Sequence, residues 1–286
     1  MRSASPLFVR SASPEDRSRI SQLLAQARWR HFHLDWRDPL ELLGSPPNLL
    51  GYHGEHLVAH LAAPPDPPGA AWIRSFCVDV TLAPLPAWRS LWAEAAAQCL
   101  ALGATQVASL LSGEWMRPLL DEAGFRETNA VVFFEWRGRQ LPPLPPVPGS
   151  LRPLAPPDLG RIQDVDSSAF SLLWRNGRDS LSAAMHQAVV ATGAEVDGVL
   201  VAYQLTTASA FGAHLARLAV EPGFQGRGLG AALVIDLIGQ LQRRGYDTVT
   251  LNTQADNLRS QDLYRRLGFR ETGQRYAVFE LLLAEG

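Results

Sequence analysis

The most regular pattern of apolar and polar positions lies in the last third of the chain. Apolar side chains recur there at every third or fourth position, at Leu229, Leu233, Val234, Leu237, Ile238 and Leu241. This spacing predicts an amphipathic helix with a single apolar face. Gly245 follows the last apolar position. A glycine at that place commonly ends a helix, so we expect the helix to stop there.

A short strand and a glycine-rich turn precede this helix. Residues 215–220 form an apolar run, and glycines then alternate at Gly226, Gly228 and Gly230. Glycines let a ligand approach the backbone, and the first N–H groups of a helix have no partner within it. Arg227 adds a positive charge. The pattern therefore predicts a binding site for a diphosphate.

Weaker patterns predict that this half is an α+β domain with one mixed sheet, in which hairpins come first and strands connected through helices follow. The expected elements are a strand before a helix from Pro156, a helical stretch over 182–190, a hairpin turning at Asp197-Gly198, a strand over 248–253, a short helix between Asn257 and Gly268, and a strand over 276–283.

Two kinds of diphosphate site have such a loop. Gly226, Gly228 and Ala231 match the dinucleotide fingerprint G-x-G-x-x-G/A in form. In that motif, however, the first glycine directly follows its strand, and the next strand ends in an acidic residue. Here residues 221–225 intervene, and the strand over 248–253 ends without an acid. A dinucleotide-dependent oxidoreductase is therefore the weakest interpretation.

The segment more closely resembles the GCN5-related N-acetyltransferase (GNAT) family, whose acetyl-coenzyme A motif is Q/R-x-x-G-x-G/A. Residues 225–230, QGRGLG, match every defined position of that motif. Residues 257–269, NLRSQDLYRRLGF, resemble the family's N-x-x-(A/S)-x-x-L-Y-x-x-x-G-F block. The resemblance covers roughly residues 150–286 and implies an acetyltransferase fold with acetyl-coenzyme A as the cosubstrate.

The resemblance also implies the cofactor-binding residues. The backbone of Leu218, Ala219 and Val220 would hold the pantetheine arm and the thioester carbonyl. The diphosphate would lie on the loop formed by Gln225, Gly226, Arg227, Gly228, Leu229, Gly230 and Ala231. Asn257 is expected to bind coenzyme A, to cap its helix, or to do both.

Two residues are candidates for proton transfer. Tyr264 stands at the family's tyrosine and is either the general acid for the departing thiolate or a core tyrosine. His214 lies eleven positions before Gln225 (225 − 214), where the histone-acetylating branch keeps a glutamate. A histidine suits proton removal near neutral pH. His214 could equally be a simple core or surface histidine, with water or another side chain as the base. The branch that acetylates ribosomal protein termini has a glutamate in the strand that here carries Asn252, so that mechanism is not carried over.

The chain repeats itself. Residues 9–20, VRSASPEDRSRI, align with residues 151–162, LRPLAPPDLGRI, at an offset of 142 (152 − 10). The pentapeptide GFRET occurs at 124–128 and again at 268–272. Two copies of ~140 residues indicate a duplicated domain, because solenoid repeats are only ~20–50 residues long. We predict an N-terminal copy over 1–138, a proline-rich linker over 139–149 and a C-terminal copy over 150–286. The linker is either a stiff spacer or a P-x-x-P ligand.

The N-terminal copy has lost the residues expected to bind coenzyme A. At the offset of 142, Gly226, Gly228 and Gly230 correspond to Pro84, Pro86 and Trp88. Proline lacks an N–H to donate, and an indole would fill the diphosphate space. At the offset of 144, Leu120 replaces the tyrosine. The helix is still predicted, with an apolar face of Trp88, Leu91, Trp92, Ala95, Cys99 and Leu102.

Composition gives no reason to expect nucleic acid or a membrane as a partner. The 26 basic residues, all of them Arg, face 28 acids, and the formal charge is −2. Cys77 and Cys99 lack the spacing of metal ligands and are expected to be small buried side chains. His56 and His60 lie in a predicted strand, so we expect no metal site there. We find no membrane helix or signal peptide in the pattern and expect a cytoplasmic protein.

The sequence therefore predicts an N-acetyltransferase, active in the C-terminal copy only, that transfers an acetyl group to an amine by direct attack of the amine on the thioester. The alternative is a non-catalytic sensor or scaffold that binds acetyl-coenzyme A. The acceptor is expected to be a small-molecule amine or a peptide or protein amine. It should lie near the connection between the first two helices, which carries Phe170, Trp174, Arg175 and Asn176. We expect a monomer with an internal pseudo-dimer, or a homodimer.

Overall fold

The computed structural model describes residues 7–34, 36–138, 140, 143–210 and 212–283. The predicted linker lies partly outside the described residues, at positions 139, 141 and 142. In chain order the elements are β1 (Phe8–Ser11), α1 (Arg17–Gln26), β2 (Trp29–Phe32), β3 (Asn48–His53), β4 (His56–Ala62), β5 (Ala70–Trp72), β6 (Ser75–Val78), α2 (Pro84–Ala101), β7 (Gln106–Leu110), α3 (Arg117–Glu122), β8 (Arg126–Arg137), β9 (Ser150–Pro153), α4 (Leu159–Ala169), α5 (Arg178–Gln187), β10 (Val190–Val196), β11 (Val199–Ser209), β12 (Gly212–Val220), α6 (Leu229–Arg243), β13 (Thr248–Gln254), α7 (Leu258–Arg266) and β14 (Arg270–Leu282).

The chain forms two compact units. Unit 1 comprises Met1–Thr128 and Ala277–Gly286, and unit 2 comprises Asn129–Tyr276. In unit 1, one sheet has the strand order β1-β3-β4-β6-β2, while β7 pairs with β5 and with the end of β14. Helix α2 contributes Trp88 and Leu91 to a core that also includes Phe125.

Unit 2 contains the larger continuous sheet. Its strands follow the order β9-β10-β11-β12-β13-β8, and only the β12–β13 pair is parallel. Successive residues of β11 face opposite sides of the sheet. Tyr203 accordingly bonds to Asp166 of α4, whereas Ala202 packs with Leu229 and Leu233 of α6. Helices therefore cover both faces of this sheet.

Each unit is completed by the last strand of the other copy. β8 ends the N-terminal copy but pairs with β13, from Thr248 opposite Arg137 to Gln254 opposite Val131. β14 ends the C-terminal copy, and its final residues pair with β7, from Val278 opposite Leu110 to Leu282 opposite Gln106. The compact units therefore begin and end at other positions than the copies. The copy boundaries remain a prediction about the repeat, since repetition and compactness are different properties.

The duplication is visible in matching contacts. Ala71 pairs with Val107 in one copy and Ala213 with Val249 in the other, so the parallel register is identical at the offset of 142. The Arg10–Asp16 ion pair at 2.6 Å likewise has a counterpart in Arg152–Asp158 at 2.8 Å. In both pairs the guanidinium lowers the pKa of the carboxyl group, chiefly through its hydrogen bonds.

Several expected elements are confirmed. The helix after the glycine loop is α6, and Gly245 follows it with a φ of +83°. The Asp197-Gly198 hairpin turn has positive φ at both residues, and His56 and His60 lie in strand β4. The fold class, two α+β copies with mixed, mostly antiparallel sheets and flanking helices, is confirmed as well.

Three details of the expected elements are wrong. The second helix of the C-terminal copy spans Arg178–Gln187 instead of 182–190, because Val190 already pairs in β10. The last strand begins at Arg270, six residues earlier than 276. Leu102 is 45% exposed, because α2 ends at Ala101 and Leu102 is its C-cap and no longer part of the apolar face.

Candidate functional site

A cavity of about 570 Å³ opens in unit 2 beside the glycine loop. It lies between the end of β12, the start of α6, the end of α4 and one face of α7. Its lining consists of Ala169, Phe170, Leu218, Ala219, Val220, Phe224, Gln225, Gly226, Gly228, Leu229, Gly230, Ala231, Asn257, Arg259, Ser260, Leu263 and Arg266. The structure therefore gathers most of the residues that the sequence assigned to a cofactor.

The cavity borders the part of β12 that lies beyond its ladder with β13. The parallel ladder between them covers residues 213–215 of β12. The later residues Leu218, Ala219 and Val220 line the cavity instead, while the other edge of β12 stays paired with β11. A strand in this position offers backbone N–H and C=O groups to a ligand.

The glycine loop has the backbone geometry of an anion site. Gly226 and Gly228 have φ values of +79° and +86°, and Gly228 is the N-cap of α6. A Cβ on Gly226 would lie 3.3 Å from Arg259 Nη2, so another residue would need a small shift of that guanidinium in addition to the strain of a positive φ. Gln225 fixes the loop by donating from Nε2 to the Val220 carbonyl oxygen at 2.9 Å.

Two basic residues that the sequence interpretation missed complete this end of the cavity. Arg259 donates from Nη1 to Gln225 Oε1 at 2.5 Å, and Arg266 lines the same wall. The sequence contained a signal for both residues, because Arg259 and Arg266 are seven positions apart in a predicted helix and therefore lie on the same face of it. Arg227, in contrast, places its guanidinium 5.1 Å from the centroid of the Phe224 ring. It lies outside the set of described lining residues.

Asn257 is confirmed as a helix cap, and its binding of coenzyme A stays a prediction. Its Oδ1 accepts from the Ser260 N–H at 3.2 Å, which caps α7. The same residue lines the cavity. Capping uses one oxygen of the amide, so the side chain keeps hydrogen-bonding capacity for a ligand.

Tyr264 lies on the buried face of α7. It is 5% exposed, and its ring centroid lies 6.1 Å from that of Phe134 and 5.8 Å from that of Phe269. Burial raises the pKa of its hydroxyl, so the group holds its proton at neutral pH. Tyr264 follows Leu263, which lines the cavity, but is itself outside the described lining. Both interpretations, general acid and core tyrosine, stay open.

His214 lies on the paired part of β12. Its Nδ1 is 2.9 Å from Thr250 Oγ1, and its Nε2 is 3.4 Å from Asn252 Nδ2. Burial lowers the pKa of the imidazole to about 4, so it is neutral and weakly basic at pH 7. His214 lies four positions before Leu218 along the strand, which corresponds to ~13 Å. The contacts favour a structural histidine, and the role as base stays a prediction.

The corresponding groove of the N-terminal copy is filled by protein. β6 occupies the place of residues 217–220, and its outer edge pairs with β2, from Trp29 opposite Val78 to Phe32 opposite Ser75. Trp88 is 1% exposed and packs edge-on against Phe76 at 5.3 Å and flat against Trp92 at 5.2 Å. A strand and an indole therefore take the space that the other copy leaves as a cavity.

The described ranges contain no group of three His, Cys, Asp or Glu side chains arranged for a metal. His60, one of the pair considered above, is buried and bonds to Asn48 at 2.9 Å and to Ser75 at 3.3 Å. Cys77 and Cys99 are buried free thiols, as expected. Across the same ranges, no helix is long and apolar enough to cross a membrane.

Known proteins are similar to this chain in sequence and in fold. Residues 160–269 match the profile of the Acetyltransferase (GNAT) family. The ribosomal protein bS18-alanine N-acetyltransferase of Escherichia coli (strain K12) is 39% identical over 75 residues, which are 26% of this chain and 51% of that protein. The chain therefore spans about half the length of that relative. The protein of the same name from Haemophilus ducreyi is 30% identical over 114 residues, 40% of this chain and 77% of that protein.

A solved structure extends the similarity to both copies. A tandem GNAT protein from the clavulanic acid biosynthesis pathway superposes with a TM-score of 0.65 and 18% identity, covering 98% of this chain and 99% of that chain. At this identity the likeness concerns the fold alone. Together with the profile match and the Haemophilus ducreyi relative, it shows that the chain belongs to the GNAT family of acetyltransferases.

Proposed function

We propose that the protein is an acetyl-coenzyme A-dependent N-acetyltransferase whose activity resides in the C-terminal copy. The observation that carries the proposal is the cavity beside Leu218, Ala219 and Val220, the part of β12 beyond its ladder with β13, which continues onto a glycine loop with two left-handed glycines. A nucleotide diphosphate would lie on the glycine loop, a polar linear arm along the strand edge, and a small acyl group beyond that edge.

The residues present fit acetyl-coenzyme A. Gly226 and Gly228 leave room for a diphosphate against the first N–H groups of α6, and Arg259 and Arg266 supply positive charge beside them. Each hydrogen bond to a charged phosphate is worth ~1.5–3 kcal/mol. The backbone of Leu218, Ala219 and Val220 on the cavity side of β12 suits the amide groups of pantetheine, and Asn257 adds an amide. Leu229, Gly230 and Ala231 form the helical wall.

The proposed chemistry is direct attack of a neutral amine on the thioester carbonyl. Backbone N–H groups near Leu218 to Val220 would stabilise the charge that develops on the carbonyl oxygen. Tyr264, which keeps its proton because it is buried, would protonate the leaving thiolate. His214 or a water molecule would accept the amine proton. Loss of the acidic limb of the pH–rate profile in His214→Ala would support His214, and an unchanged profile would leave the step to water.

The acceptor is proposed to be an amine of a peptide, a protein or a small molecule. The relatives named above are alanine N-acetyltransferases of a ribosomal protein, which supports a terminal amine as the first probe. The N-terminal copy is proposed to be structural, because β2 and Trp88 fill its groove. We therefore expect one acetyl-coenzyme A per chain.

The test combines calorimetry with a thiol-release assay. Titration with acetyl-coenzyme A should give one site per chain, and free thiol should appear with at least one amine of a panel that includes alanine-terminated peptides. The rival function is a sensor or scaffold that binds without turnover. Binding without thiol release across the panel would favour that rival, and absence of binding would contradict both.

A further inference from the structure

A buried ionic network ties the connection between α4 and α5 to the sheet of unit 2. Arg217 donates from Nε and Nη2 to the two carboxylate oxygens of Asp166 at 2.7 and 2.8 Å. Tyr203 donates its hydroxyl to the same carboxylate at 2.5 Å. The Asp166 side chain is 0% exposed and the Arg217 side chain 12% exposed. A buried pair stabilises a fold little relative to apolar packing, because both ions lose water.

What the network does is fix the position of a guanidinium plane. Bidentate pairing holds that plane in one orientation. Arg217 Cζ lies 3.6 Å from the centroid of the Phe170 ring, so the ring rests on the fixed plane. Arg217 Nη2 also donates to the Trp174 carbonyl oxygen at 2.8 Å, and the Asn176 N–H donates to Asp166 at 2.9 Å. The connection is therefore held at three points.

Phe170 lines the cavity, and its ring contacts the guanidinium of Arg217, which lies nine positions before the first loop glycine, Gly226 (226 − 217). Residues 221–225 connect the end of β12 to the first loop glycine, so Val220, Ala219 and Leu218 line the cavity in order of increasing separation from the glycines along the chain. Arg217 is the next residue in this direction, and Phe170 packs on it. A coenzyme A thioester with its diphosphate on the glycine loop would therefore direct its acyl group towards the Phe170 ring.

We propose that Phe170, held in place by Arg217 and Asp166, is the wall that restricts the acyl group to a short chain. This inference rests on the proposed function, because it assumes the direction in which acetyl-coenzyme A lies. Phe170 is then the specificity-determining residue, and Arg217 is a positioning residue that acts through it. A longer acyl chain would have to displace an aromatic ring that is stacked on a paired cation.

The test measures the affinities of acetyl-, butyryl- and octanoyl-coenzyme A by calorimetry, so no acceptor is needed. Wild-type protein should bind octanoyl-coenzyme A at least about 10-fold more weakly than acetyl-coenzyme A, as expected when a formed pocket excludes added methylenes. Phe170→Ala should remove most of this difference. Phe170→Leu, which keeps part of the bulk, should retain an intermediate preference.

Phe224→Ala is the matched control. Phe224 also lines the cavity, and the guanidinium of Arg227 lies over its ring. Phe224, however, lies beside the glycine loop. Its truncation should change the affinity for all three thioesters by the same factor. Arg217→Lys, which keeps the charge but loses the bidentate plane, should shift the chain-length preference in the direction of Phe170→Ala. In the Phe170→Ala background it should have no further effect on that preference.

The outcomes separate the two proposals. Wild-type protein that binds no acetyl-coenzyme A would overturn the proposed function, and the acyl wall with it. Wild-type protein that binds acetyl- and octanoyl-coenzyme A equally would overturn the wall alone. So would a Phe170→Ala variant that binds acetyl-coenzyme A and keeps the wild-type preference. If Arg217→Lys fails to fold, the Phe170 variants still test whether Phe170 restricts the acyl chain.

Discussion

The grooves of the two copies begin with the same parallel ladder, but the N-terminal groove is filled by protein and the C-terminal groove is a cavity. In both copies the first part of a strand pairs in parallel at the same register, with Ala71 opposite Val107 and Ala213 opposite Val249. Beyond that ladder, β2 pairs along β6 in the N-terminal copy, whereas residues 218–220 line a cavity in the C-terminal copy.

This difference shows how a duplicated fold can lose its ligand without losing its structure. An open strand edge presents unpaired backbone groups, and these must be satisfied by a ligand, by water or by more protein. The N-terminal copy satisfies them with its own chain and fills the remaining space with Trp88. The copy can therefore fold and pack without binding a coenzyme.

The largest expected effect comes from closing the remaining groove. Gly228→Glu places a carboxylate at a residue with a φ of +86°, where the cofactor phosphates are proposed to lie. We expect acetyl-coenzyme A binding to fall from one site per chain to none in calorimetry. Gly228→Ala is the control, because it brings the backbone strain and the approach to Val147 without the charge. Unchanged affinity in Gly228→Glu, or two sites in the wild type, would contradict the comparison of the two copies.

The next effect follows from the exchanged strands. A fragment of residues 150–286 lacks β8, whose Val132, Phe134 and Trp136 are buried in the core of unit 2. Burial of such side chains is worth ~1.5–3 kcal/mol each, against a typical domain stability of ~5–15 kcal/mol. We expect this fragment to be unfolded or to dimerise, as seen by circular dichroism and light scattering. A fragment of residues 129–286 retains the part of β8 that pairs with β13, Val131 to Arg137, and should be markedly more stable. Equal stability of the two fragments would argue against the exchange.

Tyr264 distinguishes the copies chemically, because Leu120 stands at its place in the N-terminal copy. If Tyr264 is the general acid, Tyr264→Phe should lower turnover by ~10²-fold while acetyl-coenzyme A affinity stays constant. The phenyl ring keeps the packing against Phe134 and Phe269, so thermal stability serves as the control. Full activity in a folded variant would leave Tyr264 as a core residue.

The smallest effect concerns His214, whose counterpart in the N-terminal copy is Trp72. Burial lowers the pKa of His214 from 6.5 to about 4, so the unfolded chain binds its proton first as the pH falls. The corresponding stability is complete above pH 6.5 and is lost towards pH 4. His214→Gln, which cannot take up a proton, should reduce this loss by roughly 2 kcal/mol between pH 7 and 4.5.

Urea unfolding at the two pH values measures the His214 effect. His186→Gln, which replaces an exposed histidine of the same copy, is the matched substitution control. An identical loss of stability in wild type and His214→Gln would show that the imidazole is not held neutral by burial.

Much of the candidate site follows from local sequence. The glycines at 226 and 228 are needed for left-handed backbone, and Leu229 to Leu241 form the apolar face of a helix whatever surrounds them. Arg217 could not be assigned in the same way. A lone arginine in an apolar strand gives no indication of its partner, and Asp166, Tyr203 and Phe170 come from different elements.

The sequence by itself determined the duplication, the glycine loop with its helix, and the loss of that loop in the N-terminal copy. These properties depend on periodicity, on φ and on the missing N–H of proline, all of which are local. Tertiary structure alone decided that β8 and β14 exchange partners, that β2 fills one groove, and that His214 is held between Thr250 and Asn252. Strand pairing and burial join residues far apart in the chain, so no local pattern specifies which of several compatible edges a strand will meet.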